Sequence, residues 1–338
     1  FQELVTRAFE LSHTRIMSGM HSTVDVMGGR IMATALAAAT LADPANADLK
    51  AAARAQALTY FTEQTGTTAD TLFGYAHSGA ADAYADRDAN ARSVKPRLTY
   101  VLNREGRAEP FTVPEGAEVL LETRQPYLDA AQRREVLRTT GLPSGYVLLD
   151  GWEQWGRLNL FAAADGYGSF DSDVTVTLDA ASGGFHAADS WRNDIDGCGG
   201  LTKKGSGTLT LTGHNRYTGG TVLQEGVLVA ASAHALGHGD VRVRGGKLTL
   251  ADRSLQIHGT YTQDSATLEL TLRSGQEPVL EVTRRAVLGA GSVLSLKLDA
   301  KKPPKAGQTV RVLGAPVLRG QFDRVELNSD TLRAVPVY

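Results

Sequence analysis

The sequence predicts a mixed fold of two domains, a mainly α-helical domain followed by a right-handed parallel β-helix, or solenoid. Three observations predict it: the length, the helix-forming composition before Gly141, and a regular repeat that begins after Gly200. A chain of 338 residues exceeds what one hydrophobic core usually organises, so two domains are expected. We place the helical domain at residues 1–170, a junction at 171–198 and the solenoid at 199–338.

Composition and charge narrow the classes of function. Hydrophobic residues make up 42% of the chain and charged residues 21%, which is ordinary for a globular protein. The formal net charge of −2 gives no electrostatic case for a nucleic-acid partner or an anionic membrane. The longest apolar stretch, Ile31–Ala42, is expected to be too short to span a bilayer. The single cysteine, Cys198, excludes an internal disulfide and a multi-cysteine zinc site.

Helix signals dominate the part of the chain before Gly141. The segment Met20–Leu41 is rich in alanine, leucine and methionine and stops before Pro44, where proline would break the hydrogen-bond ladder. Residues Ala51–Phe61 continue in the same style. A third helix is expected from Asp129, a candidate N-cap, to Arg138. The segment Arg97–Leu102 is predicted to be a strand.

Strand signals dominate the second half. No proline occurs between Pro143 and Pro278, and thirteen glycines fall between Gly197 and Gly246. A long proline-free stretch with many glycines and β-branched residues is typical of hydrogen-bonded strands joined by tight corners. Leucine or valine alternates with polar residues in segments such as 208–212, which predicts strands with one buried face.

A pentapeptide repeats at nearly constant spacing. Gly207-Thr-Leu-Thr-Leu returns as Gly226-Val-Leu-Val-Ala and again, after an almost equal interval, as Gly246-Lys-Leu-Thr-Leu. Equal spacing in the same phase is what successive coils of a parallel solenoid require, whereas an antiparallel sandwich, the alternative, has no need of it. If the solenoid is correct, the leucines that follow each glycine by two should stack in one buried ladder: Leu209, Leu228 and Leu248.

These repeats resemble the autotransporter-associated β-strand repeat. The resemblance rests on residues 200–213, 215–221 and 226–229, and it extends weakly through Tyr338. It implies the stem of an autotransporter passenger, at the cell surface or outer membrane of a Gram-negative bacterium or secreted from it. It also implies a C-terminal membrane barrel in the same parent chain as a partner. Because the sequence starts at Phe1 and this barrel is not recognised in it, we expect it to be a fragment.

A possible phosphate-handling motif lies near the start, T-R-x5-H-x3-D, formed by Thr14, Arg15, His21 and Asp25. His21 and Asp25 are four positions apart, so on a helix they would share one face. Asp25 could then accept a hydrogen bond from one imidazole nitrogen and leave the other available as a nucleophile. Arg15 could bring its planar guanidinium to a phosphate.

The motif resembles the third signature of the phosphatidic acid phosphatase type 2 and haloperoxidase superfamily, and residues 25–30 resemble class A bacterial acid phosphatases. By this resemblance residues 1–170 are the C-terminal part of an acid phosphatase domain. His21 attacks phosphorus to give a phosphohistidine, Asp25 orients His21, and Arg15 binds phosphoryl oxygens. The resemblance implies a phosphomonoester substrate, no metal and no other cofactor. The predicted function is therefore a surface-displayed acid phosphatase on an autotransporter stem.

The chain also departs from the superfamily pattern. The superfamily needs an upstream K-x6-R-P segment and a P-S-G-H segment, which supply phosphate ligands and the general acid, and neither precedes residue 14. Residues 143–146, Pro-Ser-Gly-Tyr, imitate the second segment but follow the motif, and we interpret them as a turn. Lys95-Pro96-Arg97 lacks the spacing of the first. The 338 residues alone are therefore expected to be inactive, and the alternative is a non-catalytic structural or adhesin-type passenger.

The remaining histidines give weaker signals. His13 lies beside the motif at no matching position and is interpreted as a solvated or capping residue. His214, His234 and His238 are expected in solenoid turns, but the sequence does not show the convergent ligands that a zinc site needs. No metal site is predicted.

Overall fold

The computed structural model divides the chain into two compact units, Phe1–Ala164 and Asp165–Tyr338. It describes residues 1–79, 82–106, 108–251, 254–274 and 279–338. Pro278, the end of the proline-free stretch, lies outside the described residues.

The first unit is mainly helical, as predicted. The helices expected from Met20, Ala51 and Asp129 correspond to the second, third and sixth helices. Local capping explains two of these starts, because the side chains of Ser22 and Asp129 accept hydrogen bonds from backbone N–H groups in the first turns that follow. The helices are α1 Gln2–Met17, α2 Thr23–Ala42, α3 Ala47–Thr65, α4 Ala69–Ala76, α5 Arg87–Val94, α6 Ala130–Thr140 and α7 Leu160–Ala163.

The strand predicted at Arg97–Leu102 is wrong. Pro96 instead lies in a short 3-10 helix, Lys95–Arg97, because its fixed φ suits the first turn of a helix. The N–H of Tyr100 then donates to the carbonyl of Pro96 over 2.9 Å, which curls the chain. Tyr100 has φ +47°, a left-handed conformation that cannot continue an extended strand.

Helix α2 corrects a second expectation, that the apolar stretch is too short to span a bilayer. The helix has 20 residues, because Val24, Val26 and Met27 extend the apolar composition to its first turn. By length and composition it could cross a membrane. Only Met27 and Ala38 of this helix are buried. Core helices and signal sequences meet the same criterion, so we infer no membrane span from it.

Among its described residues, the second unit contains short strands, a 3-10 helix at Ala180–Ser182 and one brief α-helix, α8 Gly184–Ala187. Its strands are β1 Val174–Thr177, β2 Ala188–Trp191, β3 Leu201–Lys204, β4 Thr208–Leu211, β5 Thr221–Leu223, β6 Val227–Ala230, β7 Val241–Val243, β8 Lys247–Leu250, β9 Ser254–Ile257, β10 Thr260–Gln263, β11 Thr267–Leu272, β12 Val279–Val282, β13 Arg285–Leu288, β14 Val293–Leu298, β15 Leu313–Gly314, β16 Leu318–Arg319 and β17 Arg324–Leu327.

These strands form the coils of a parallel β-helix. One sheet runs in the order β1-β3-β5-β7-β10-β13-β16, a second β2-β4-β6-β8-β11-β14-β17, and a third β9-β12-β15. Every pairing between these strands is parallel, as the solenoid requires and the antiparallel sandwich does not. The right-handed sense of the coil stays a prediction.

The predicted leucine ladder is confirmed. Leu209 pairs with Leu228 and Leu228 with Leu248, in strands β4, β6 and β8. All three side chains are at most 1% exposed. Their neighbours two residues on form a second buried row in the same register, as period-two alternation requires: Leu211, Ala230 and Leu250.

Two features of the solenoid differ from the sequence expectation. Residues 171–198, expected to be a junction, contain β1 and β2, which pair with β3 and β4 inside the second unit. The near-constant coil period holds in the central coils but lengthens later, so that Tyr261 pairs with Ala286 and Leu294 with Val325. The longer coils make room for the third sheet, β9-β12-β15, which the pentapeptide repeat does not reveal.

Candidate functional site

The three predicted site residues lie around the connection between α1 and α2. Arg15 is in the last turn of α1, and Asp25 is in the first turn of α2. His21 lies in the connection itself, because Ser22 is the N-cap at which α2 begins. The prediction that His21 and Asp25 share one helix face is therefore wrong. The His21 Nδ1 atom is 4.0 Å from Asp25 Oδ2, too far for a hydrogen bond.

Asp25 is engaged by the helix cap. Its Oδ2 accepts hydrogen bonds from the Ser22 N–H over 3.1 Å and from the Ser22 hydroxyl over 3.0 Å. The backbone hydrogen bond from Ser22, together with that of its side chain, holds the pKa of Asp25 below the usual range. Asp25 is therefore a carboxylate at neutral pH, held by Ser22 close to His21.

The connection is a tight turn that folds onto α1. The carbonyl of Arg15 accepts hydrogen bonds from the N–H groups of Met20 and His21 over 3.0 and 3.2 Å. Gly19 makes this turn possible with φ +71°, a conformation that residues with a Cβ rarely adopt. The Thr14–Asp25 spacing thus brings the backbone of His21 against that of Arg15.

All three residues line one cavity of the first unit, with a volume of about 410 Å³. Two further arginines and a tyrosine join them there: Arg30, Arg97 and Tyr100. Three guanidinium groups and one imidazole around a single cavity favour an anionic ligand. Apolar residues make up most of the remaining wall: Val5, Ala8, Phe9, Val26, Met27, Ala33, Leu98, Trp155, Leu158 and Leu160.

Arg30 provides a half-buried positive charge. Its guanidinium donates to the carbonyl of Leu98 over 2.8 Å and to that of Gly156 over 3.3 Å, and it lies 5.8 Å from the Phe9 ring centroid. Burial lowers its pKa to about 10, so it remains charged at neutral pH. Within the described part of the chain no carboxylate pairs with it, which leaves its charge available to a bound anion.

Tyr100 brings a second buried polar group to the cavity. Its hydroxyl is buried without a hydrogen-bond partner among the described residues, and burial raises its pKa. Its ring stacks on His13, with centroids 5.9 Å apart. His13 Nδ1 is also buried and lacks a partner within the described ranges, so His13 is not the solvated residue expected from the sequence.

The sequence contained partial signals for the residues it missed. Arg30 ends the stretch 25–30 that carries the resemblance to acid phosphatases. Lys95-Pro96-Arg97 has the wrong spacing for an upstream motif, yet Arg97 reaches the same cavity. No local pattern marks Tyr100, because only tertiary packing brings it to α1.

Comparison with known proteins bears mainly on the solenoid. Residues 201–230 match the family described as Passenger-associated-transport-repeat. The chain therefore carries an autotransporter passenger repeat. It is 32% identical over 162 residues to the Neisserial autotransporter lipoprotein NalP of Neisseria meningitidis, which covers 46% of the chain and 14% of the relative. It is 35% identical over 144 residues to an extracellular serine protease of Serratia marcescens, covering 33% and 14%.

A third relative is Serotype-specific antigen 1 of Mannheimia haemolytica, 29% identical over 192 residues, which covers 55% of the chain and 18% of the relative. The chain thus spans less than a fifth of each of these three curated relatives. The expected location, at the surface of a Gram-negative bacterium or secreted from it, is confirmed. None of these relatives is named as an acid phosphatase.

Proposed function

We propose that this chain is part of an autotransporter passenger in which the β-helix serves as a non-catalytic stem. The observation that carries this proposal is the coincidence of the matched repeat, residues 201–230, with regular parallel coils β3 to β6. A solenoid buries its hydrophobic face only against neighbouring coils, so its outer surfaces are free to space or present other domains. The membrane barrel of the parent chain remains a proposed partner.

Surface display of the passenger tests whether the coils are the functional element. We expect that deleting residues 201–230 from the parent chain reduces display of a folded passenger on the bacterial surface, measured by antibody labelling of intact cells. Deletion of the charged segment 301–305, outside the coil ladders, is the control. Equal surface levels of the passenger in the two deletion variants would contradict the stem role of the coils.

A second function, acid phosphatase activity, is favoured by the cavity of the first unit. There Arg15, Arg30 and Arg97 surround the same space as His21 and Asp25. Guanidinium groups bind phosphoryl oxygens with two parallel hydrogen bonds. We propose a phosphomonoester as the substrate class of this cavity.

The chemistry would proceed in two displacements. An imidazole nitrogen of His21 attacks phosphorus, an N–P bond forms, and the P–O bond to the alcohol breaks as a general acid supplies the alcohol with a proton. Water then attacks the phosphohistidine and releases phosphate and free His21. Arg15, Arg30 and Arg97 would stabilise charge on the phosphoryl oxygens. Asp25 need move little to reach His21 from its 4.0 Å separation.

Phosphate binding tests the cavity directly on the chain of 338 residues. We expect orthovanadate and inorganic phosphate to bind, measured by calorimetry, and Arg30→Met to weaken binding at least about tenfold because a half-buried cation is lost. Arg54→Met, on α3 and outside the cavity, is the control. Equal affinity of the two variants would remove the phosphatase proposal and leave the stem proposal intact.

Turnover also requires a general acid. No side chain among the described residues around the cavity is assigned that role. In the parent chain we expect His21→Ala to abolish hydrolysis of p-nitrophenyl phosphate and Asp25→Asn to lower it less, because only orientation of the nucleophile is lost. His186→Ala, in the second unit, is the control. Wild-type turnover by His21→Ala would show that His21 is not the nucleophile.

The serine protease activity in the name of the Serratia relative is not proposed for this chain, because the chain covers only 14% of that relative.

A further inference from the structure

Four histidines meet along one corner of the solenoid. His214 follows β4, His234 and His238 lie between β6 and β7, and His258 lies between β9 and β10. Ring centroids are 4.1 Å apart for His214 and His234, 5.8 Å for His234 and His258, and 4.4 Å for His238 and His258. We call these four residues the histidine corner.

The coil period creates this cluster. His214 and His234 are separated in sequence by the same interval as His238 and His258, so each pair occupies equivalent positions in adjacent coils. The backbone there is held firmly: the Asn215 side chain donates to the carbonyl of Ala235 over 2.7 Å, and the His238 N–H donates to the carbonyl of Tyr217 over 2.8 Å.

Three of these side chains converge as metal ligands would. His234, His238 and His258 each offer one ring nitrogen, and these three atoms lie within 4.8 Å of one another. In addition, His234 Nδ1 and His258 Nε2 are buried without a hydrogen-bond partner among the described residues. Buried polar atoms are normally satisfied, so two orphaned nitrogens in one cluster indicate a missing partner.

The pKa values of His234 and His238 are lowered, which favours the neutral form of these two side chains. Burial, and then the neighbouring histidines, lower the pKa of His234, and burial with His258 first among the charges lowers that of His238. Neutral imidazole is the form that coordinates a metal. Arg216 also contributes to the low pKa of His238, but its guanidinium is paired with Asp196 at 2.7 Å.

We propose that the histidine corner binds one late first-row transition-metal ion, such as Zn²⁺, through His234, His238 and His258, with a solvent molecule as the fourth ligand. Zinc–nitrogen bonds of about 2.0–2.1 Å place tetrahedral ligand atoms roughly 3.4 Å apart. Small rotations of the imidazole rings would close the present separation, because the last torsion of histidine is soft.

Such an ion would tie two coils together, because His234 and His238 belong to one coil and His258 to the next. It would act on the stem and not on the cavity of the first unit. The sequence did not show convergent ligands for a metal, whereas the structure brings His234, His238 and His258 together because the coil period places His258 beside His238.

Calorimetry with zinc sulfate on the untagged, chelator-treated chain of 338 residues tests the proposal. We expect one Zn²⁺ per chain, a rise in the melting temperature on binding, and the visible absorption bands of tetrahedral Co²⁺ when cobalt is used instead. His234→Ala and His258→Gln should each weaken binding by at least about tenfold, since each removes one of three ligands. His186→Ala, also in the second unit, should leave affinity unchanged.

The His258→Gln variant keeps the test decisive if His234→Ala fails to fold, because glutamine preserves size and polarity. Circular dichroism of each variant establishes folding before titration. Absence of binding by the wild-type chain, or wild-type affinity in folded His258→Gln, would overturn the proposal. Loss of binding in His186→Ala would do so too, because the ion would then lie elsewhere.

Discussion

Lys203 is a fully buried cation in the first coils of the solenoid. Its ammonium group donates to the carbonyls of Lys204, Gly205 and Glu225 over 2.8, 2.7 and 3.2 Å. Burial lowers its pKa to about 8. The side chain therefore joins carbonyl groups at the corners of two neighbouring coils, and that of Lys204 also accepts a hydrogen bond from the Leu178 N–H over 3.2 Å.

Replacing Lys203 tests that role at the residue scale. We expect Lys203→Met to lower the free energy of unfolding by about 1–3 kcal/mol, because buried carbonyl groups lose their donor. Lys204→Met, at an exposed position of the same strand, is the matched control and should change little. Urea denaturation followed by circular dichroism measures both, and equal stability of the two variants would refute the assignment.

The candidate site was only partly predictable from the sequence. Short-range spacing was enough to bring Arg15, His21 and Asp25 to one cavity. It did not give the geometry of the His–Asp pair, because the competing cap of Ser22 starts the helix just after His21. Tyr100 reaches the cavity through tertiary packing, which no local pattern encodes.

At the scale of elements, the leucine ladder carries a stability prediction. Leu228 lies in β6, between Leu209 and Leu248, and is 1% exposed. We expect Leu228→Ala to cost about 2–5 kcal/mol, because it opens a cavity between two packed coils. Val229→Ala, outward-facing in the same strand, is the control. If thermal or chemical denaturation gave equal losses for the two variants, the inward ladder would be wrong.

A histidine links two helices of the first unit. His77, the C-cap of α4, contacts the Glu3 carboxylate of α1 over 2.7 Å through Nε2 and the carbonyl of Phe73 over 2.8 Å through Nδ1. Both contacts are hydrogen bonds only when both ring nitrogens carry protons. The hydrogen bonds with Glu3 and then Phe73 accordingly raise the pKa of His77 above its ordinary value of 6.5.

The sign of the resulting pH dependence follows from that shift. A group whose pKa is raised by folding stabilises fully below its unfolded value, near 6.5, and loses this contribution as pH rises through the folded value. We therefore expect the first unit to lose stability from this link as pH rises from about 6 into the alkaline range. Melting curves should show that His77→Gln flattens this dependence, whereas His186→Gln retains it.

Elements were predictable where local chemistry decides them. Capping residues and prolines marked the ends of α2 and α6, and alternation marked β4, β6 and β8. The strand expected at Arg97–Leu102 failed because the turn at Pro96 overrode its apolar pattern. The third sheet was missed because its strands interrupt the regular coil period.

At the scale of the molecule, the division into a helical unit and a solenoid was predictable, but the start of the second unit was not. The solenoid unit begins at Asp165, where an aromatic cluster fills the first coil. Trp191 is fully buried, with its ring 5.3 Å from that of Tyr167, and Phe170 lies 4.9 Å from Tyr217. The repeat pattern did not mark this start, because large aromatic side chains do not follow the coil period.

Because each coil contacts mainly its neighbours, damage to this cluster should remain local. We expect Trp191→Ala to cost about 3–5 kcal/mol in the first coils and to speed amide hydrogen exchange in β1 to β4, while β11 and β14 stay protected. Trp152→Ala, at a position 95% exposed in the first unit, is the control. Uniform loss of protection through β17 would show that the coils unfold as one cooperative block.

The near-constant separation between paired residues of the central coils has a kinetic consequence. Strands β4, β6 and β8 meet their partners at almost the same distance along the chain, so each of these central coils closes a loop of nearly equal length. The entropy lost on closure depends only weakly on length and is therefore nearly equal for each coil. Folding can nucleate at any central coil and propagate to the next, and additional coils would lengthen the solenoid without raising the sequence separation that limits the folding rate.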